Sequence, residues 1–111
     1  MSDSIRRVAS VIGLPPEHRA EYERLHAAVW PSVLEQIARS NIRNYSIYRH
    51  GDLLFSYFEY VGTSYEADMA AMGADPATRE WWALTEPLQA PLPMRDPANW
   101  WATLPEVFHT D

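Results

Sequence analysis

The stretch IRNYSIYRHGDLLFSYFEYVG, residues 42–62, commits the chain to a sheet. Two runs rich in β-branched and aromatic residues flank RHGD, and a glycine at that point supplies the backbone of a tight turn, which predicts a hairpin turning at Gly51. Alternation places Tyr45 and Ile47 on one face of the first strand. On the second, Phe55 and Tyr57 share one face, and Ser56, Phe58 and Tyr60 the other. A lone hairpin is marginal in water, so other elements have to cover at least one of these faces.

The flanking sequence supplies them. Residues 5–14, IRRVASVIGL, form a short apolar stretch without helical caps that ends at Pro15-Pro16, which predicts a strand. From Pro16 to Ser40 the spacing becomes helical: Tyr22, Leu25, His26, Val29, Val33 and Ile37 fall within about 120° of one another. Pro31 lacks an amide hydrogen and is expected to restart or kink this helix. TSYEADMAAMG, residues 63–73, opens with Thr63 three residues before Glu66, a capping-box spacing, and stops at Gly73. ADPATREWWALTEP follows, with Asp75 as N-cap, Pro76 in the first turn and Pro87 as terminator. PLQAPLPMRDPANW, residues 87–100, is a proline-rich loop, and WATLPEVFHTD, residues 101–111, reads as a last strand.

The order is β-α-β-β-α-β within a single domain spanning 1–111. It predicts an α+β fold of the ferredoxin-like kind: a four-stranded antiparallel sheet with the helices on one face. Such a sheet leaves its other face bare, and its aromatic residues make exposure costly. A homodimer packed sheet to sheet is the expected remedy.

Charge and composition exclude several functions. The formal net charge is −6, so the attraction to phosphate behind nucleic-acid and anionic-membrane affinity is missing. There is no cysteine, hence no disulfide, thiolate metal site or cysteine nucleophile. The start, MSDSIRRVASVIGL, has too short an apolar stretch for a signal peptide, and no run approaches a membrane span, so the cytoplasm is the expected location. No His-x-x-x-His spacing occurs among His18, His26, His50 and His109, which argues against a metal site. With four glycines, the chain offers no glycine-rich phosphate loop, and no serine lies in a G-x-S-x-G turn.

AEYERLHAAVW, residues 20–30, places Tyr22, His26 and Trp30 four residues apart, with Tyr22 and His26 on the apolar stripe. A histidine there is either a hydrogen-bonded core residue or an acid-base group, and spacing leaves both open. The adjacent pair Trp81-Trp82 raises the same choice. If one ring packs inward with Met69 and Met72, the other points elsewhere, and either assignment is allowed. Flat rings beside polar tips suit a sugar, whose C–H face stacks on aromatics while its hydroxyls need hydrogen bonds, one of which Asn44 or Tyr45 would supply.

EYERLHAAVWP, the strand NYSIY, the pair WW at 81 and 82 and the terminal EVF, in this order and at these separations, resemble the L-rhamnose mutarotase family. The resemblance runs from about Arg7 to His109. It implies a ferredoxin-like protomer in a dimeric α/β barrel and an isomerase that interconverts the α and β anomers of a 6-deoxyhexose without a cofactor or metal. It also implies that His26 is the catalytic proton donor and that Tyr22, Tyr45, Trp81 and Trp82 bind substrate. The loop 87–99, the second pair Trp100-Trp101 and His109 depart from the rhamnose pattern. L-Rhamnose is the expected sugar, L-fucose the competitor, and a non-catalytic ferredoxin-like ligand binder the reading from another class.

Overall fold

A computed structural model describes residues 5–111; residues 1–4, which open the segment judged too short for a signal peptide, lie outside it. Strand β1 (Arg6–Gly13) leads through a 3-10 turn (Pro16–His18) to helices α1 (Arg19–His26) and α2 (Pro31–Arg39). The hairpin β2 (Ile42–His50) and β3 (Leu53–Tyr60) follows, then α3 (Tyr65–Ala74), α4 (Pro76–Thr85), a 3-10 turn (Glu86–Leu88) and β4 (Ala102–Leu104). The strands form one antiparallel sheet in the order β2-β3-β1-β4, the ferredoxin-like arrangement expected.

Register decides which side chains meet the helices. Ile12 pairs with Leu54 and Ser56 with Ile47, and this face packs on Tyr22 of α1 to make the core of Ile12, Leu14, Tyr22 and Leu54. Val11 pairs with Phe55 and Phe55 with Tyr48 on the opposite face, where Tyr48 stays 66% exposed.

Both long helical stretches are broken, each just before a proline. Trp30 is extended (φ −62°, ψ 136°) and α2 begins at Pro31; Asp75 is extended (φ −70°, ψ 123°) and α4 begins at Pro76. The proline ring disfavours helical geometry in the residue before it, which is the physical cause of both breaks. Asp75 then caps α4, its Oδ2 accepting from the Thr78 amide at 3.0 Å and from Thr78 Oγ1 at 2.8 Å.

Three boundaries differ from the sequence reading. The cap of α3 is Ser64 rather than Thr63, its Oγ accepting from the Ala67 amide at 3.3 Å. Gly73 does not end that helix, which runs on to Ala74 until the Asp75-Pro76 break. The last strand is also far shorter than 101–111, because Pro105 follows Leu104 and has no amide to give the ladder. Beyond it the chain is held by Glu106, which accepts from Arg7 Nε at 2.7 Å.

One irregularity aims a side chain. The ladder between β2 and β3 slips between Arg43 and Ser46, with Asn44 left-handed at φ 52°. The extra residue turns Tyr45 to the helix side, where its ring meets Phe58 edge-on at 5.5 Å. Asn44→Gly is expected to keep stability within about 1 kcal/mol, whereas Asn44→Val, a β-branched residue forced to positive φ, should lose about 1–3 kcal/mol in urea unfolding.

Candidate active site

Tyr22 and His26 lie one turn apart on α1, and their rings stack with centroids 4.2 Å apart and planes inclined by 25°. The His26 Nδ1–H donates to the carbonyl of Tyr22 at 2.9 Å. A carbonyl accepts only, so in the neutral imidazole the proton resides on Nδ1 and Nε2 carries the lone pair. Nε2 has no hydrogen-bond partner among the described residues and is not sealed from solvent.

These rings stand at the wall of a cavity of about 330 Å³ between the sheet and the helices, large enough for a monosaccharide. Tyr45 enters from β2, Met69 and Met72 from α3, and Trp81 and Trp82 from α4. The choice left open for the tryptophan pair resolves by burial. Trp81 is 6% exposed and meets the edge of His26 at 5.3 Å, while Trp82 is 37% exposed and lines the same cavity. Trp30 lies behind Trp81, edge-on at 5.3 Å, and does not line the cavity. Of the two hydrogen-bonding groups expected from β2, Tyr45 faces the cavity; Asn44 donates to Glu59 at 2.8 Å instead and is not part of the wall.

Burial tunes the titratable groups. Desolvation pushes the His26 pKa below its ordinary value, and the bond to the Tyr22 carbonyl offsets only part of that. The same cause pushes the Tyr22 phenol well above its ordinary value, against a smaller opposing effect of its hydrogen bond to Gln89. The Tyr45 phenol is raised by desolvation too. Near neutrality all three groups are uncharged.

Sequence reasoning missed Gln89 and left Trp100 and Trp101 without a role, yet all three line the cavity. The signal for the tryptophans was their adjacency. Gln89 had none, since it lies in a proline-rich stretch and its partner Tyr22 is 67 positions away. His109 is elsewhere, beside Asp111 at 3.0 Å. Among the described residues no group of three or more histidine, aspartate and glutamate side chains is gathered as a metal site would require.

Comparison with known proteins bears on what such a cavity is for. Residues 7–110 match the family model for L-rhamnose mutarotase. The L-rhamnose mutarotase of Phocaeicola vulgatus is 33% identical over 109 residues, covering 96% of this chain and all (100%) of its own. That of Bacteroides thetaiotaomicron is 30% identical with the same coverage. The chain belongs to the L-rhamnose mutarotase family. In fold it is similar to the crystal structure of an L-rhamnose mutarotase from Formosa agariphila, with a TM-score of 0.69 at 20% identity over 96% of this chain and 99% of that one.

Membership in the L-rhamnose mutarotase family makes the protein an isomerase acting on a sugar, as the ordered pieces around Tyr22, His26, Tyr45 and Trp81-Trp82 imply. The two tryptophans should differ in what they contribute to stability. Trp81→Ala is expected to cost about 3–5 kcal/mol in urea unfolding, the usual cost of emptying a core position. Trp82→Ala should cost under about 1 kcal/mol yet weaken sugar binding, followed by tryptophan fluorescence.

Proposed function

We propose that the protein interconverts the α and β anomers of L-rhamnose by opening and reclosing the pyranose ring, with His26 carrying the proton. The observation behind this is the anchoring of His26 Nδ1 on the Tyr22 carbonyl, which leaves Nε2 as the titrating nitrogen beside an aromatic cavity.

The atoms balance with one proton carrier. Neutral Nε2 removes the proton from the anomeric hydroxyl; the pair left from the O1–H bond forms the second C1–O1 bond of the aldehyde as the C1–O5 bond breaks and its pair goes to O5. The imidazolium then gives its proton to O5. Rotation about C1–C2 and the reverse sequence yield the other anomer. His26 is therefore base first and acid second, because its lowered pKa makes the neutral ring the resting form. Anomers exchange in water unaided, so the chemistry asks for neither a metal nor a redox cofactor.

The other site residues take binding roles in this reading. Trp81 and Trp82 offer faces to the C–H side of the sugar, and the neutral Tyr22 and Tyr45 hydroxyls bond its oxygens. A second copy of the chain covers the sheet face opposite the helices. This is supported by Tyr48, Leu104, Val107 and Phe108, exposed by 66%, 37%, 92% and 78%. We place the reaction in the cytoplasm. No described helix is long and apolar enough to cross a membrane, and the cysteine-free composition suits a reducing compartment.

Saturation-transfer NMR measures anomer exchange directly. Exchange of L-rhamnose should speed up with the native protein and slow by about 10²–10⁴-fold in His26→Ala at unchanged fold. Equal rates with and without protein would overturn the mutarotase reading, and faster exchange of L-fucose than of L-rhamnose would overturn the choice of sugar. The active form has the proton off Nε2 and burial lowers its pKa, so the rate should be level above neutrality and fall on acidification through a pKa below the usual 6.5. In sedimentation the chain should run at twice its 12.8 kDa mass, and Tyr48→Asp should shift it toward the monomer.

A further inference from the structure

Tyr22 lines the cavity, and the partner of its hydroxyl, Gln89, which lines it too, is not on its own helix. The Trp100 indole Nε1–H donates to Gln89 Oε1 at 2.8 Å, and Gln89 Nε2 donates to the Tyr22 hydroxyl oxygen at 3.2 Å. An indole N–H can only donate, so it fixes which end of the amide faces it. Turning the amide over would set two donors against each other. With Oε1 committed to Trp100, the amide N–H has to face Tyr22, and the phenol receives a hydrogen bond there. Its own proton is then free for an acceptor inside the cavity, and no described residue takes it.

The backbone beside Gln89 is held as well. Ala90 and Gly13 exchange two hydrogen bonds, 2.8 and 2.9 Å, which tie the loop to the end of β1. A Cβ at Gly13 would lie 2.6 Å from the Ala90 carbonyl oxygen, so this approach depends on glycine. Gln89 thus stands on anchored backbone, with its amide orientation set by Trp100 from the far end of the proline-rich loop.

We propose that Gln89, locked by Trp100, is a positioning residue that holds the Tyr22 hydroxyl as a hydrogen-bond donor to the bound sugar. This rests on the mutarotase reading and deepens it. Gln89 needs no contact with the sugar; it acts through Tyr22. The Trp100–Gln89 pair also assigns a task to the second tryptophan pair, which the resemblance to the family left without one.

The test is anomer exchange of L-rhamnose by Gln89→Glu, Gln89→Leu and Trp100→Phe, measured against wild type across pH. In Gln89→Glu the ionised carboxylate accepts from both Trp100 and Tyr22, drawing the phenol proton away from the sugar. At about pH 7.5 its turnover should fall about 10- to 100-fold. Once protonated, the introduced carboxyl keeps a carbonyl for the indole and an O–H for Tyr22, restoring the original pattern. The variant-to-wild-type ratio should therefore rise by about tenfold on going from about pH 7.5 to about pH 5.

The other titratable groups on the wall, His26 on α1, Tyr45 on β2, Tyr65 on α3 and Glu86 in the 3-10 turn, are common to both proteins, so their titration largely cancels in that ratio. Gln89→Leu should be slower with no recovery at low pH. Trp100→Phe, which frees the amide to turn, should lose about 2- to 10-fold. A pH-independent ratio for Gln89→Glu, or wild-type rates in it, would overturn the positioning role and leave the mutarotase reading intact. Wild-type protein that fails to speed exchange would instead overturn the mutarotase reading, and the positioning role with it.

Discussion

The hydrogen bond from His26 Nδ1 to the carbonyl of Tyr22 organises the site from within a single helix. It spans one turn, so the peptide unit that accepts the imidazole proton belongs to the residue whose ring stacks on that imidazole at 4.2 Å. Ring position, ring tilt and tautomer are settled together by helix geometry, at a helix only eight residues long. Helix α1 ends at His26, and after the extended Trp30 a separate helix, α2, starts at Pro31 and packs against β2.

The remaining walls arrive by equally local devices. A left-handed Asn44 inserts one residue into β2 and swings Tyr45 to the inner face. The Asp75-Pro76 junction starts α4 afresh with a rotation that buries Trp81 against His26 and Trp30 while leaving Trp82 at the rim. Stiff aromatic rings, each with two rotatable bonds, keep such a cavity from collapsing, and several are braced edge-on by a neighbour.

How far these features can be read in the sequence depends on the range of the interaction that creates them. Tyr22 and His26 are legible because one-turn spacing is a property of the helix itself, and the hairpin is legible because Gly51, at φ 57°, meets a demand within the turn. Trp81 and Trp82 are legible only as a pair, since which ring points inward depends on how α4 is rotated against α1 and α2. The extent of β4 was overestimated because its apolar residues suggest a strand, whereas Pro105 ends the ladder. Gln89 was out of reach, because its importance rests on partners 67 and 11 positions away, and a glutamine in a proline-rich loop carries no periodic signal. The break at Trp30 was foreseeable from Pro31, because the restriction acts on the adjacent residue.

Burial acts on Tyr22 and His26 with one physical effect and two chemical results. Removing water disfavours the charged form of each, so the phenol's pKa rises and the imidazole's falls. For tyrosine the neutral form is the acid; for histidine it is the base. A single apolar environment thus turns two stacked neighbours into a donor and an acceptor, with no charge on either and no ion pair to hold them. An anionic ligand would have to be desolvated without a counter-charge there, whereas an uncharged polyol gives up only hydrogen bonds, and the two rings can return them. The exclusion of water that holds both rings neutral is the same one that suits this wall to an uncharged polyol.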